Sequence, residues 1–262
     1  MSPRAGRRWP YLDHPGPLAF AHRGGAADAP ENTMLSFQRA VDLGYRYLET
    51  DVRTTADGVL LAFHDEVLDR VTNLTGRLRE RPWSEVREAR IGGQPIPRLE
   101  EMLAAWPDVR INIDAKDDAA VAPLVEAIEG ARAHDRVCVA AFSDVRLRRF
   151  RRLSGGQVCT AMGPRTIARL KGAGYRVPTI PFAAGCVQVP IYHGRIRVVD
   201  RRFVTAAHRR GLHVHVWTID EPAEMDRLLD LGVDGIMTDR PVALREVLER
   251  RGQWVGRGDG AG

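Results

Sequence analysis

The sequence is poor in cysteine. Its 262 residues include three, Cys138, Cys159 and Cys186, which are widely spaced and show no CxxC or Cys/His metal spacing. Each lies inside an apolar run, so we predict buried free thiols rather than a disulfide framework or a thiolate metal centre. Free thiols are typical of a reducing compartment, and we therefore expect a cytoplasmic protein.

The sequence also lacks a long hydrophobic run. No stretch approaches the roughly 20 apolar residues that would span a bilayer. The basic N-terminus, MSPRAGRRWPYLDHPGP, has no apolar centre of the kind that a secretion signal needs. We expect at most peripheral contact with a membrane.

Lysine is nearly absent, although the chain is basic. Of 39 basic residues only Lys116 and Lys171 are lysine, and the net charge is +5. The densest arginine run, Arg146 to Arg152, has a helical pattern, which predicts a solvated helix face rather than a nucleic-acid surface. We expect no nucleic-acid partner, and a monomer or small homo-oligomer. In a chain so rich in arginine, a lysine can mark a site that needs a compact ammonium group.

Short apolar, β-branched runs alternate with helix-period segments along the whole sequence. Eight strand units, most of them followed by a helix, predict an α/β fold of the (β/α)8 TIM barrel type, with an open doubly wound sheet as the alternative. The length of 262 residues suits such a barrel. We expect a single catalytic barrel domain over 1–262, with the barrel at about 18–250 and a flexible, glycine-rich tail at 252–262.

One polar segment is too long for an ordinary connection. It runs from Glu66 to Arg98, directly after a strand that ends in His64 and Asp65. Compact strand-to-helix loops are usually about 2–6 residues long, so this segment predicts a small insertion after the second strand. We expect the insertion to overhang one mouth of the barrel and to influence which substrate is accepted.

Acidic residues mark the ends of two neighbouring predicted strands. Glu49 and Asp51 are two residues apart, so their side chains point to the same face of the strand; Asp114 and Lys116 repeat this spacing on the next strand. Three carboxylates that converge at one mouth would repel one another unless a cation lay between them. Carboxylate oxygens without thiolates favour one divalent cation, Mg²⁺ or Ca²⁺. The alternative for each acid is a salt bridge in the barrel wall.

Two of the eight histidines end strands next to these acids. His22 ends the first strand, and His64 ends the strand that follows Asp57-Gly58. Two imidazoles beside a phosphate can act as general acid and general base near neutral pH. His213 and His215 share a strand face with Trp217, and we expect them only to line the barrel.

Several motifs together resemble those of one enzyme family. HRGGAADAPENT (His22 to Thr33) and LETDVRTTADGVLLAFHDEVLDRVT (Leu48 to Thr72) are followed by INIDAK, VHVWTID and GVDGIMTDRP. This series is similar to the signature of the glycerophosphodiester phosphodiesterases, within the superfamily of phosphatidylinositol phospholipase C-like phosphodiesterases. The resemblance covers Leu18 to Leu248, nearly the whole chain, and implies a TIM barrel with a small insertion.

The resemblance also implies roles for particular residues. The positions that match the family's functional residues fall into three groups: catalytic His22 and His64; metal ligands Glu49, Asp51 and Asp114; and substrate or phosphate contacts Arg23, Lys116 and Trp217.

Two positions depart from the family pattern. Asp114 stands where the third metal ligand is usually glutamate, and Asp220 replaces an asparagine in the WTxN pattern. The shorter Asp114 could shift the metal preference. We expect Asp220 to cap the helix that begins near Glu221, and Asp239 to cap the last helix.

The residues and the resemblance together predict a metal-dependent phosphodiesterase that hydrolyses glycerophosphodiesters to an alcohol and sn-glycerol 3-phosphate. One alternative is a lysophospholipase D or sphingomyelinase D-like enzyme acting on a lysophospholipid, since that branch also uses an aspartate at the position of Asp114. The alternative from another class is a non-catalytic module that binds phosphodiesters. In each case the partner is a small molecule.

Overall fold

The computed structural model describes residues 9–173 and 182–258. In these ranges a sheet of parallel strands, each adjacent to the next, curves into a nearly closed barrel in the order β8-β7-β6-β2-β1-β13-β12-β9. Its members are β1 (Leu18–His22), β2 (Tyr47–Thr54), β6 (Arg110–Ala115), β7 (Val137–Ala140), β8 (Cys159–Thr160), β9 (Cys186–Val189), β12 (His213–Val216) and β13 (Gly235–Thr238). The predicted (β/α)8 barrel is confirmed, and the open doubly wound sheet is not adopted.

Helices cover the outside of the barrel, and one further helix, α2 (Trp83–Val86), belongs to the segment after the second strand. The barrel helices are α1 (Met34–Asp42), α3 (Leu99–Ala105), α4 (Val121–Gly130), α5 (Asp144–Leu153), α6 (Pro164–Ala173), α7 (Arg201–His208), α8 (Pro222–Leu231) and α9 (Pro241–Arg250). Their ends follow from local chemistry: the Thr33 side chain accepts a hydrogen bond from the Ser36 amide in a capping box at α1, and Asp200 accepts one from the Phe203 amide at α7.

The arginine-rich helix α5 is amphipathic, as its spacing predicts. Leu147 and Phe150 are buried against the barrel, and the Ser143 side chain caps the helix by accepting from the Arg146 amide. None of the described helices is long and apolar enough to cross a membrane.

The segment after the second strand begins with β3 (Leu60–Ala62), which pairs antiparallel with β2. The insertion beyond it holds a 3-10 turn at Leu78–Glu80, then α2 and the short hairpin of β4 (Arg90–Ile91) and β5 (Gln94–Pro95). Its buried apolar residues pack with those of β3 in a small core of their own: Leu61, Phe63, Leu68, Leu78, Val86, Ala89, Ile91 and Ile96. The insertion is therefore a packed subdomain seated on β3.

The N-terminal end of the barrel is closed by the segment that precedes β1. Trp9, Tyr11 and Leu12 are buried in one apolar cluster with Phe20 and Tyr47 inside the barrel, and the Tyr47 hydroxyl donates to the Tyr11 carbonyl, 2.9 Å away. The opposite, C-terminal end stays open. A second small hairpin, β10 (Tyr192–His193) with β11 (Ile196–Arg197), stands at that end between β9 and α7.

Candidate active site

The residues predicted from the sequence lie around one cavity of about 580 Å³ at the C-terminal end of the barrel. Its wall includes all eight of them: His22, Arg23, Glu49, Asp51, His64, Asp114, Lys116 and Trp217. They come from five separate stretches of sequence. Four of these meet because parallel strands present their C-terminal ends at the same edge of the barrel, and His64 joins them after β3, which pairs antiparallel with β2.

His22 ends β1 and is held by a carboxylate. Its Nδ1–H donates to Asp239 Oδ1 at 2.7 Å, and its Nε2 lies 3.7 Å from Glu49 Oε2. Burial disfavours the imidazolium, but the charge of Glu49 and the hydrogen bond to Asp239 outweigh it and raise the pKa of His22. Because Nδ1 is engaged, Nε2 is the nitrogen that can exchange a proton with a substrate.

His64, which follows β3, has a similar arrangement. Its Nδ1–H donates to Asp65 Oδ1 at 2.6 Å, and Arg70 Nε donates to the other oxygen of Asp65 at 2.5 Å. Burial would raise the pKa of Asp65, but the hydrogen bonds from Arg70 and His64 lower it to about 2. Asp65 is therefore an anion at neutral pH, and it fixes the tautomer in which Nε2 of His64 is available.

The three acids are buried in the cavity floor. Lys116 Nζ bridges two of them, at 2.7 Å from Asp51 Oδ1 and 2.6 Å from Asp114 Oδ2. Despite burial, Lys116 and then Arg23 hold the pKa of Asp51 below its usual range. Burial raises the pKa of Asp114. Burial and the nearby charge of Asp51 raise the pKa of Glu49 to about 7.

These acids carry more negative charge than their cationic neighbours balance. Glu49, Asp51 and Asp114 face two cations, Lys116 and Arg23, and Arg23 is shared with Glu31. Asp114 Oδ1 is buried and has no hydrogen-bond partner among the described residues. Hard oxygen donors with an excess negative charge fit Mg²⁺ or Ca²⁺. In this structure of residues 9–173 and 182–258, however, carboxylate oxygens taken one from each of the three acids do not all lie within 4.8 Å of one another.

Arg23 is directed into the site by an unusual backbone conformation. Its φ of 51° lies in the left-handed region, which costs energy for a residue with a side chain. The Arg23 amide donates to Glu49 Oε2 at 3.2 Å, and its guanidinium contacts Glu31 at 2.9 Å and Asp51 at 3.0 Å. Glu31 thus tethers the loop after β1, as its position near the start of α1 suggests.

The two glycines after Arg23 are explained by packing alone. A Cβ on Gly24, where φ is +84°, would lie 2.8 Å from the Phe37 backbone nitrogen, and one on Gly25 would lie 2.7 Å from Pro241 Cγ. Any side chain would force this loop away from α1 and α9.

The remaining wall of the cavity is mostly apolar. Phe142 and Trp217 meet edge to face with ring centroids 5.7 Å apart, and Lys116 Nζ lies 5.5 Å from the centre of the Phe142 ring. Further apolar residues come from the ends of β7 and β9 and from the segments after β7, β8 and β9: Ala140, Ala141, Met162, Ile167, Val189 and Ile196. The cavity thus joins a charged floor to an apolar side.

The insertion does not line this cavity. No residue from 66 to 98, all of which the structure describes, lines the cavity. Its apolar core packs on β3, which pairs with Val52, Arg53 and Thr54 at the C-terminal end of β2. Its contribution is Arg70, whose guanidinium bonds Asp65 and Glu31 and so joins the loops that carry His64 and Arg23.

Two aspartates differ from their expected roles as helix caps. The N-cap of α8 is Glu221, and Asp220 instead accepts from Thr238 Oγ1 and from the Asp239 amide, at 2.9 and 2.8 Å. This contact orients Asp239 towards His22. Asp239 directly follows β13, so the same strand-end rule that identified the other site residues could have identified it.

Comparisons with known proteins agree with this geometry. Residues 22–243 match the Glycerophosphoryl diester phosphodiesterase family. A Mycobacterium tuberculosis protein named "Probable glycerophosphodiester phosphodiesterase 2" is 43% identical over 253 residues, which cover 94% of this chain and 96% of that protein. The crystal structure of a glycerophosphodiester phosphodiesterase from Agrobacterium tumefaciens has a TM-score of 0.75 at 25% identity, covering 89% of this chain and 99% of that one.

A third relative is a phosphodiesterase from Oleispira antarctica, whose structure was solved in complex with the product sn-glycerol-3-phosphate. It has a TM-score of 0.77 at 21% identity and covers 89% of this chain and 97% of its own. At this identity the likeness shows the shared barrel fold.

Proposed function

The chain belongs to the glycerophosphoryl diester phosphodiesterase family, a family of hydrolases acting on phosphodiester bonds, and from this premise we propose that it hydrolyses glycerophosphodiesters to an alcohol and sn-glycerol 3-phosphate with the help of one divalent cation. Membership in a family of hydrolases argues against the alternative of a non-catalytic binding module.

One observation carries this proposal. Two histidines, each with its Nδ1 held by a carboxylate, line the same cavity as three buried acids. A pair of oriented imidazoles can remove a proton from the attacking nucleophile and supply one to the leaving alkoxide. Hydrolysis of a phosphodiester needs both proton transfers. The nucleophile must lose a proton, and the alkoxide is a poor leaving group until it is protonated.

His22 and His64 share this work in the proposed mechanism. Asp239 and Asp65 keep each ring in the tautomer whose Nε2 can hold or accept a proton, and they stabilise the imidazolium that forms when it does. The Asp65–Arg70–Glu31 contacts keep the loop of His64 close to the loop of Arg23.

Arg23 and Lys116 would bind the phosphate. Both cations lie at the cavity floor, and their hydrogen bonds to phosphate oxygens strengthen as negative charge develops in the transition state. Phe142, which lies over Lys116, and Trp217, which packs against Phe142, would exclude water from one side of the bound phosphate.

Glu49, Asp51 and Asp114 would hold the cation, Mg²⁺ or Ca²⁺. When bound, it supplies Lewis-acid polarisation of a phosphate oxygen and offsets the charge of the three carboxylates. Asp114, whose side chain is one methylene shorter than a glutamate, would hold the cation from β6.

The sn-glycerol-3-phosphate in the Oleispira antarctica structure supports this choice of product. The test is to incubate the purified protein with glycerophosphocholine and to identify the products by phosphorus NMR. We expect sn-glycerol 3-phosphate as the phosphorus-containing product. Release of phosphocholine would mean that the opposite ester bond is cleaved, and the proposal would then be wrong.

The apolar side of the cavity favours one second candidate, a lysophospholipase D or sphingomyelinase D-like activity. Met162, Ile167 and Phe142 form a surface that a choline or ethanolamine headgroup would not need. If an acyl chain binds there, Ile167→Asp should lower kcat/KM for a lysophospholipid at least about tenfold and leave glycerophosphocholine within about twofold, since a buried carboxylate next to an acyl chain is strongly unfavourable. Equal losses for both substrates would refute the acyl site.

A further inference from the structure

The fold gathers the three cysteines that the sequence spaces far apart. Cys138 on β7, Cys159 on β8 and Cys186 on β9 are fully reduced and buried inside the barrel. Among the described residues they form a group whose sulfur atoms all lie within 4.8 Å of one another. The Sγ atoms of Cys138 and Cys186 are 3.7 Å apart. A tetrahedral zinc site with Zn–S bonds of about 2.3 Å places its sulfurs about 3.8 Å apart.

A buried histidine lies on the neighbouring strand β12, but neither of its ring nitrogens belongs to the group of sulfur atoms. His215 on β12 is completely buried, and its Nε2 has no hydrogen-bond partner in the described part of the chain. On the other side of the ring, Nδ1 lies 3.4 Å from the Gln188 amide, which also contacts Cys186 Sγ at 3.8 Å. The Gln188 amide thus links His215 to Cys186 without placing an imidazole nitrogen among the three sulfurs.

The cysteines lie where the barrel is most weakly closed. β8 and β9 are the two ends of the sheet order, and they meet through one isolated bridge, Ala161 with Cys186. Two backbone hydrogen bonds support that bridge, from Gly185 to Thr160 and from Met162 to Cys186, both 3.0 Å. The central pair β2 and β6, in contrast, is in register over six residues. Cys159 and Cys186 therefore stand on opposite sides of this seam.

We propose that Cys138, Cys159 and Cys186 form a structural site for a thiolate-binding d¹⁰ metal ion, and that the ion joins β7, β8 and β9 across the seam. Three thiolates are the soft ligands that such ions prefer. The site is separate from the carboxylate site, whose oxygen donors suit harder cations.

Charge at the site is compatible with a bound dication. Hydrogen bonds from the Cys138 and Cys159 thiols, and then the His215 imidazole, hold the pKa of Cys186 well below its usual range despite burial. Burial raises the pKa of Cys138 and of Cys159, so metal binding must displace their protons. With three thiolates and a dication the net charge is −1, and the Arg151 guanidinium, bonded to Thr160 and Ala161 beside Cys159, offsets it.

Cadmium provides a direct probe, because cadmium bound to thiolate absorbs in the near ultraviolet and cadmium bound to carboxylate does not. The reduced protein is unfolded in guanidinium chloride and refolded with one equivalent of Cd²⁺ and an excess of Mg²⁺, which occupies the carboxylate site. We expect the folded fraction to carry one cadmium per chain with an absorbance that corresponds to three thiolates. Its Tm should exceed that of the metal-free protein by roughly 5 °C or more.

Matched variants locate the ion. Cys159→Ser and Cys186→Ser should lose most of the band, whereas Asp114→Asn, at the carboxylate site, and Leu18→Val, a packing change in the same buried cluster, should keep it. A folded wild-type protein without the band would overturn the proposal, and so would a full band in folded Cys186→Ser. If the cysteine variants do not fold, the thiolate count per cadmium in the wild-type protein decides the question alone.

Discussion

Asp239 provides a sensitive test of how His22 is held, because Asn has nearly the same shape and removes only the charge. The His22 Nδ1–H donates to Asp239 Oδ1 at 2.7 Å, and the Asp239 amide is fixed by Asp220 at 2.8 Å. A hydrogen bond to a charged group contributes about 1.5–3 kcal/mol and one between neutral groups about 0.5–1.5 kcal/mol. The difference of about 1–1.5 kcal/mol predicts that Asp239→Asn lowers kcat roughly tenfold.

The pH profile of Asp239→Asn should shift as well. The carboxylate helps to raise the pKa of His22, so its loss should move the limb of the profile that belongs to His22 to lower pH. The assay is kcat against pH with glycerophosphocholine. Asp108→Asn is the matched control, since Asp108 pairs with Arg257 on the surface. If Asp239→Asn stayed within twofold of wild type and its profile did not move, Asp239 would have no part in positioning His22.

Two further predictions concern histidines. Alanine at His22 or at His64 should lower kcat about 10²–10⁴-fold while the fold survives. The variant that lacks the general acid should recover most of its rate with a substrate whose leaving group is p-nitrophenolate, because that group needs no proton. A loss of kcat below about tenfold would remove that histidine from the mechanism. Away from the site, the hydrogen bond to Asp234 raises the pKa of His208. The His208–Asp234 pair therefore stabilises the folded protein fully below the unfolded-state pKa of about 6.5, and this stabilisation is lost as the pH rises through the pKa of His208 in the folded state. Wild type should therefore exceed His208→Gln in urea-unfolding free energy by more at pH 6 than at pH 9, and a constant difference would contradict the assignment.

The barrel and the site lining could be predicted from the sequence because they depend on local rules. The alternation of Glu49 with Asp51, and of Asp114 with Lys116, fixes a strand face, and the C-terminal ends of parallel strands meet at one edge. These rules place residues without any knowledge of distant contacts.

The features that sequence reasoning missed depend on tertiary contacts. The strand-end rule would place Asp239 at the mouth of the barrel, but its hydrogen bond to His22 spans 217 positions in the sequence, and no local spacing indicates that pairing. The few apolar residues of the insertion pack against β3. The mostly polar sequence of the segment does not indicate this contact. The three cysteines converge only because β7, β8 and β9 are neighbours in the closed barrel.

The most direct test of the proposed activity is hydrolysis of glycerophosphocholine by protein that has been freed of metal with a chelator. Wild type should be inactive in chelator and recover with Mg²⁺ or Ca²⁺, because Glu49, Asp51 and Asp114 carry more charge than Lys116 and Arg23 balance. Glu49→Gln should remain folded and fail to recover. Full turnover by the wild-type protein in chelator would contradict the divalent site, and with it the role proposed for these acids.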